Sequence, residues 1–149
     1  MSMFTTFNIN ASGLTAQRYR MDIISENVAN ANTTRTADGT PYRRKVVTFE
    51  EKGAGSEKFG AVFNKARKNY VGNGVKVDAV TEDTWTEMNK VYDPSHPDAD
   101  ENGYVTYPNV NIITEMTNLI DASRAYEANS TAFNASKSMA QQALNMGKS

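Results

Sequence analysis

Cysteine is missing from this 149-residue chain, which excludes disulfides, thiol nucleophiles and thiolate metal ligands. Proline is scarce as well, four residues, all between positions 41 and 108. Neither end of the chain therefore carries a proline that would break a helix. There is one histidine, His96, and no apolar run approaches the roughly 18 residues of a membrane span. The N-terminus lacks a basic region followed by an apolar one, so no cleaved signal is expected, and a secreted fate would need another route. The formal net charge is −1 and no segment carries a strong excess of one sign, which argues against nucleic-acid or anionic-membrane binding.

What is present is periodicity. Ile112, Leu119, Tyr126, Phe133 and Ala140 recur every seven residues, the spacing of a helix written for a helical partner. The neighbouring seam, Met116, Ser123, Ser130, Lys137 and Leu144, is apolar only at its ends, so the stripe is narrow. Asn109 and Asn111 follow Pro108 as candidate N-caps, and Glu115 falls in the first turn, where a negative charge suits the helix dipole. A start near Val110 and an end near Met146 are predicted. Such a helix is roughly 55 Å long, more than a small domain spans, so part of it must overhang any core this chain can build.

A matching pattern opens the chain. Phe7, Leu14, Met21 and Val28 are again seven apart, with Ile24 and Ala31 on the adjacent seam, which predicts a helix over residues 3–31. Ser2 can cap it, and Asn30, Asn32, Thr33 and Thr34 end it. Asn10 and Gln17 occupy seam positions, where polar groups cost stability but fix register. Eleven of the sixteen asparagines lie in these two terminal segments, and asparagine favours caps and turns over helix interiors. Both helices are expected to be marginal alone and to find their stability in each other and in neighbouring chains.

Between them the period falls to two. Asp38-Gly39-Thr40-Pro41 reads as a turn, residues 42–50 as a strand through Val46, Val47 and Phe49, and 51–58 as a polar loop. A short strand over 59–63, a turn at Gly72-Asn73-Gly74, and the alternating Val75, Val77 and Ala79 follow. One more strand is expected near 88–92, then a loop over 93–103 and an extended piece at 104–107. The predicted class is α+β: residues 1–35 and 108–149 as the two helices of a coiled-coil domain, and 36–107 as a small β-rich middle region.

Catalysis finds little support. His96 sits between Ser95 and Pro97 in a turn with no nucleophile motif nearby, so local packing or hydrogen bonding is the better reading. Asp98, Asp100, Asn102 and Gly103 match the opening of a calcium loop, but Asn109 stands where the closing bidentate glutamate is required. Arg43-Arg44-Lys45 could bind phosphate, yet Glu50 and Glu51 lie close and no nucleic-acid motif accompanies them, so an ordinary charged strand face is expected. No P-loop, catalytic carboxylate pair or dinucleotide fingerprint occurs. Neither a metal nor any other cofactor is expected, and a calcium-binding module is the weaker alternative.

Ser12-Gly13-Leu14, followed by Asn27, Ala29 and Asn30 in the run Glu26-Asn27-Val28-Ala29-Asn30-Ala31-Asn32-Thr33, resembles the N-terminal signature of the flagellar basal-body rod and hook family. Tyr92-Asp93-Pro94-Ser95-His96-Pro97-Asp98, Tyr107-Pro108-Asn109, and Arg124 with Tyr126 continue the resemblance, toward the proximal rod proteins of that family. The resemblance implies a non-catalytic subunit that polymerises with copies of itself and sister rod subunits into the flagellar drive shaft. It also implies passage through the flagellar type III export apparatus without a cleaved signal, to a place outside the cytoplasmic membrane. Phe7, Leu14, Met21, Ile24, Val28, Ile112, Met116, Leu119, Tyr126, Phe133 and Ala140 are then the expected assembly interface, and another axial subunit of the same family is the nearest rival.

Overall fold

Helix α1 spans Met3–Ala29, and its breaker is local: the Asn30 amide donates back to the Glu26 carbonyl at 3.0 Å while its side-chain oxygen accepts from Thr33. Residues 3–52 and 72–147 are described in this computed structural model. Strands β1, Lys45–Glu51, and β2, Val75–Glu82, form one two-stranded ribbon. Strands β3, Asn89–Tyr92, and β4, Tyr104–Tyr107, form a second, antiparallel pair with Val91 opposite Val105. Helix α2 runs over Ile112–Met146. The expected Ser2 cap, the loop at 53–58 and the strand at 59–63 lie outside the described residues.

The cap of α2 is Asn111 and not Asn109, for the Asn111 side chain accepts from the amides of Ile113 and Thr114 at 3.0 and 3.2 Å. The strand expected at 42–50 begins three residues later, because Tyr42 and Arg44 are drawn into side-chain contacts with the helices. In β2 the expected alternation holds, with Val75, Val77 and Ala79 half-buried and Lys76, Asp78 and Val80 exposed.

The chain divides into two compact units. One is drawn from Met1–Tyr19, Phe49–Asp78 and Ser123–Ser149, the other from Arg20–Thr48 and Ala79–Ala122. In the first, Phe7 meets Phe133 edge to face with ring centres 5.1 Å apart, and Gly13 faces Asn129, so α1 and α2 run antiparallel there. A methyl at Gly13 would stand 2.8 Å from Asn129 Oδ1, a close approach that only a bare Cα permits. Ser12 Oγ donates to the Ile9 carbonyl and accepts from the Val75 amide, tying the start of β2 to α1. In the second unit the buried apolar side chains include Ile24, Ala31, Tyr42, Val105, Val110 and Ala122. That is a sparse core, and the polar groups beside it decide how the unit holds together.

Gly74 carries a φ of +91° and a Cβ there would meet Ser12 Oγ at 2.2 Å, whereas Gly39, at φ +76°, faces open space. Both bear the backbone penalty of about 1–2 kcal/mol for a side chain in the left-handed region. Gly74→Ala is therefore expected to lower the urea midpoint clearly more than Gly39→Ala does. Equal losses would show that the Ser12 contact contributes nothing.

Candidate assembly site

The second unit closes around a carboxylate. Glu115, in the first turn of α2, is 1% exposed. Its Oε1 accepts from Nε and Nη2 of Arg44 at 2.9 and 2.7 Å, and its Oε2 accepts from the Asn27 amide of α1 at 3.0 Å. A bidentate guanidinium with a further amide donor is what a buried carboxylate needs to offset lost hydration. Arg44 also faces Asp83, with Nη1 3.6 Å from Oδ2. The residue expected on an ordinary charged strand face is thus turned inward between two acids.

Asn27 uses its whole hydrogen-bonding capacity. Its amide nitrogen donates to Glu115 and to the Lys45 carbonyl at 2.9 Å, while its oxygen accepts from the Tyr42 hydroxyl and the Lys45 amide, both at 2.9 Å. Two donors and two lone pairs are all an asparagine has. Burial, and then the negative charges of Glu26, Glu115 and Glu82, push the Tyr42 hydroxyl up to about 12, so it remains a donor throughout the neutral range. Lys45 pairs with Glu26 alongside.

Asn109 performs the same service one layer away. Its oxygen accepts from the Arg44 amide at 2.9 Å, and its nitrogen donates to the carbonyls of Asp83 and Thr86. Asp83 in turn organises the turn that follows β2, accepting from the amides of Trp85 and Thr86 and from the Thr86 hydroxyl. These bonds hold its carboxyl below the ordinary carboxylate value, the Thr86 hydroxyl being the largest cause. The end of α1, the entry to β1, the turn after β2 and the start of α2 are thereby pinned to one another in a fixed register.

The structure brings several of the signature positions together. Asn27 and Asn109 are in this network, and Pro108 is buried beside Asn109. Ser12 and Gly13 make the close contacts of the other unit. Ala29 and Asn30 end α1. In the 93–103 loop the Asp93 carboxylate accepts from Ser95, His96 Nδ1 accepts from the Asp98 amide, and Asp98 accepts from Thr34 and Arg35. Asp100 accepts from the amides of Asn102 and Tyr104. Asp93 and Asp100 serve the turns of their own loop, and Asp98 ties that loop to the segment after α1. Tyr92 stacks edge to face on Tyr104, Tyr107 lies beside the His96 ring, and Pro94, Pro97, Arg124 and Tyr126 are exposed.

Of the heptad positions, Ile24 is buried and Phe7, Leu14, Met21, Val28, Leu119, Phe133 and Ala140 are half-buried, while Ile112, Met116 and Tyr126 are exposed. The face of α2 that turns inward is a third row, Glu115 and Ala122 in one unit, Asn129 and Ser136 in the other. This row shares the seven-residue step but is small and polar, which is why a search for apolar repeats passes over it. Arg44 stood out only as part of the basic run Arg43-Arg44-Lys45, and Asp83 carried no signal of its own in the sequence. The one available hint was a lone acid, Glu115, set among Ile112, Ile113 and Met116.

Two sequence families match this chain. The pattern described as "Flagella basal body rod protein" covers residues 7–35, and that described as "Flagellar basal body rod FlgEFG protein C-terminal" covers residues 101–146. The flagellar basal-body rod protein FlgC of Bacillus subtilis is 47% identical over 99% of this chain and 100% of its own length. That of Borreliella burgdorferi is 45% identical over 97% of each, and that of Salmonella typhimurium 38% identical over 99% of this chain and all of its own. The chain belongs to the flagellar basal-body rod proteins, in the group whose relatives bear the name FlgC. This is a family of structural subunits and not of enzymes.

Two outcomes are expected from the network. Glu115→Ala leaves the Arg44 cation and the Asn27 amide without their acceptor and is expected to cost about 3–5 kcal/mol, the usual consequence of breaking a buried pair. Converting both partners, as Arg44→Met with Glu115→Leu, should recover much of that loss in urea unfolding. The second outcome concerns pH. A lowered carboxyl contributes stability above its unfolded value and loses it as pH falls through the folded one. Emission from Trp85, the only tryptophan, should therefore stay constant down to about pH 4 and change below it. In Asp83→Asn no such acid transition of the turn is expected.

Proposed function

We propose that this chain is a subunit of the flagellar rod that assembles with copies of itself and with sister rod proteins through its two terminal helices. The observation that carries this reading is the placement of apolar side chains on α2. The inward row is small and polar, while in the second unit Ile113, Met116 and Ile120 are 77%, 54% and 52% exposed at helical spacing. In the first unit Met139 and Leu144 are exposed as well. An apolar helix face of this length in water marks a surface to be covered by another chain.

In this reading residues 1–35 and 108–149 form the axial part of each subunit, and residues 36–107 a β-rich part bound to it. The seams through Phe7, Leu14, Met21, Ile24, Val28, Ile112, Met116, Leu119, Tyr126, Phe133 and Ala140 hold helices within and between subunits. A contact repeated without closing on itself gives a helical tube, which transmits torque and surrounds an export path. Subunits reach that tube through the flagellar export apparatus, outside the cytoplasmic membrane and without a cleaved signal. A chain held by a small core and a polar network unfolds at low cost, as such a route requires.

The test separates folding from assembly. Met116→Asp and Ile120→Asp place charges on exposed positions and should leave far-UV dichroism and urea midpoint within about 0.5 kcal/mol of the parent. Both are nonetheless expected to exclude the chain from purified basal bodies and to abolish swimming, with Thr114→Asp, exposed on another side of α2, as the tolerated control. Complete rods built from the Met116→Asp chain would refute the proposed use of this face.

A further inference from the structure

Two of the sixteen asparagines precede a glycine, Asn73 and Asn102, and the fold treats them oppositely. An asparagine in that setting is open to attack on its own side chain, because the amide nitrogen of the next residue, unhindered by a Cβ, can reach the carboxamide carbon. The reaction needs an amide able to give up its proton, a side chain not held elsewhere, and room for the asparagine to swing toward that nitrogen.

At Asn102 the backbone is closed. The Gly103 amide donates to the Asp100 carbonyl at 2.9 Å, and the amides on either side of it, those of Asn102 and Tyr104, donate to Asp100 Oδ1 at 2.9 and 2.8 Å. The Gly103 carbonyl accepts from the Asp93 amide at 2.9 Å, and a Cβ at Gly103 would stand 2.9 Å from the Tyr92 ring. The adjacent carboxylate opposes loss of a proton from this amide. Attack here requires the whole turn to open first.

At Asn73 the attacking nitrogen is available. Asn73 is exposed, and among the described residues nothing accepts from the Gly74 amide and nothing bonds to the Asn73 side chain. What is fixed lies beyond that nitrogen: the Gly74 carbonyl accepts from the Lys52 amide at 2.8 Å, and the Val75 amide donates to Ser12 Oγ at 3.1 Å. On the other side, a Cβ built at Gly72 would meet nothing within 4 Å. The nitrogen is held in place while the asparagine beside it has room to turn.

We propose that Asn73 is a site of spontaneous deamidation and that Asn102, with the same glycine after it, is protected. The Gly74 nitrogen gives its proton to solvent base and bonds to Asn73 Cγ; the Cγ–Nδ2 bond breaks and Nδ2, taking a proton from solvent, leaves as ammonia. Water then opens the resulting succinimide. Addition at Cγ yields aspartate, and addition at the backbone carbonyl yields isoaspartate, whose main chain runs through Cβ and Cγ. Either product sets a negative charge just ahead of β2, and the second also lengthens the main chain next to the groups tied to Lys52 and Ser12.

The experiment holds the full folded chain in warm, mildly alkaline buffer and follows both sites by peptide mass mapping and by enzymatic methylation of isoaspartate. Asn73 is expected to convert at least about tenfold faster than Asn102. In concentrated urea, where the turn is gone, the two rates should converge. Asp100→Ala should raise the rate at Asn102 and leave that at Asn73 unchanged. Equal rates in the folded chain, or a rate at Asn102 that neither urea nor Asp100→Ala increases, would overturn the proposal.

Discussion

Everything in the second unit depends on the burial of one negative charge. Glu115 cannot leave water without donors, and the donors it finds, the Arg44 guanidinium and the Asn27 amide, come from β1's entry and from α1. Satisfying the carboxylate thus requires three distant stretches of chain to meet at one point. A buried ion pair adds little net stability over an apolar one, so its contribution is specificity. Sliding α2 by one turn would leave both charges stranded, whereas an all-apolar seam of alanines and leucines would tolerate the slip.

The same logic explains why the fold was only partly legible in the sequence. Seven-residue repeats fixed the helices to within a few residues at each end, and two-residue alternation located β2, because both signals come from many residues acting together. Pairwise contacts have no such redundancy. Arg44 stands in a run of three basic residues, and nothing in that run tells which side chain turns inward. Asn109 and Asn111 are both candidate caps, because both follow a proline at a helix start. The cap is Asn111, and Asn109 is committed to Arg44, Asp83 and Thr86. Local rules identify an asparagine that will hydrogen-bond, but the partner is set by tertiary structure.

The family resemblance and the physics meet on some residues and part on others. Ser12 and Gly13 belong to a motif recognised by its letters, yet their role is steric: the serine bridges α1 and β2, and the glycine admits Asn129. Tyr92, Pro94, Pro97 and Tyr126 belong to the same set of letters but remain exposed. Signature positions therefore divide into those that build the subunit and those that this single chain leaves open. That division is consistent with a protein whose final packing is completed by others.

The saturation of Asn27 has a consequence for how this position can change over generations. Aspartate keeps the shape but removes both donors and sets a second negative charge against Glu115. Glutamine keeps the chemistry but displaces it by a methylene, and serine or histidine cannot supply two donors and two acceptors at once. No one-residue replacement preserves the four bonds, and two of the partners are the backbone groups of Lys45, which no substitution can alter. A change at this position therefore strands at least one polar partner unless Tyr42 or Glu115 changes with it.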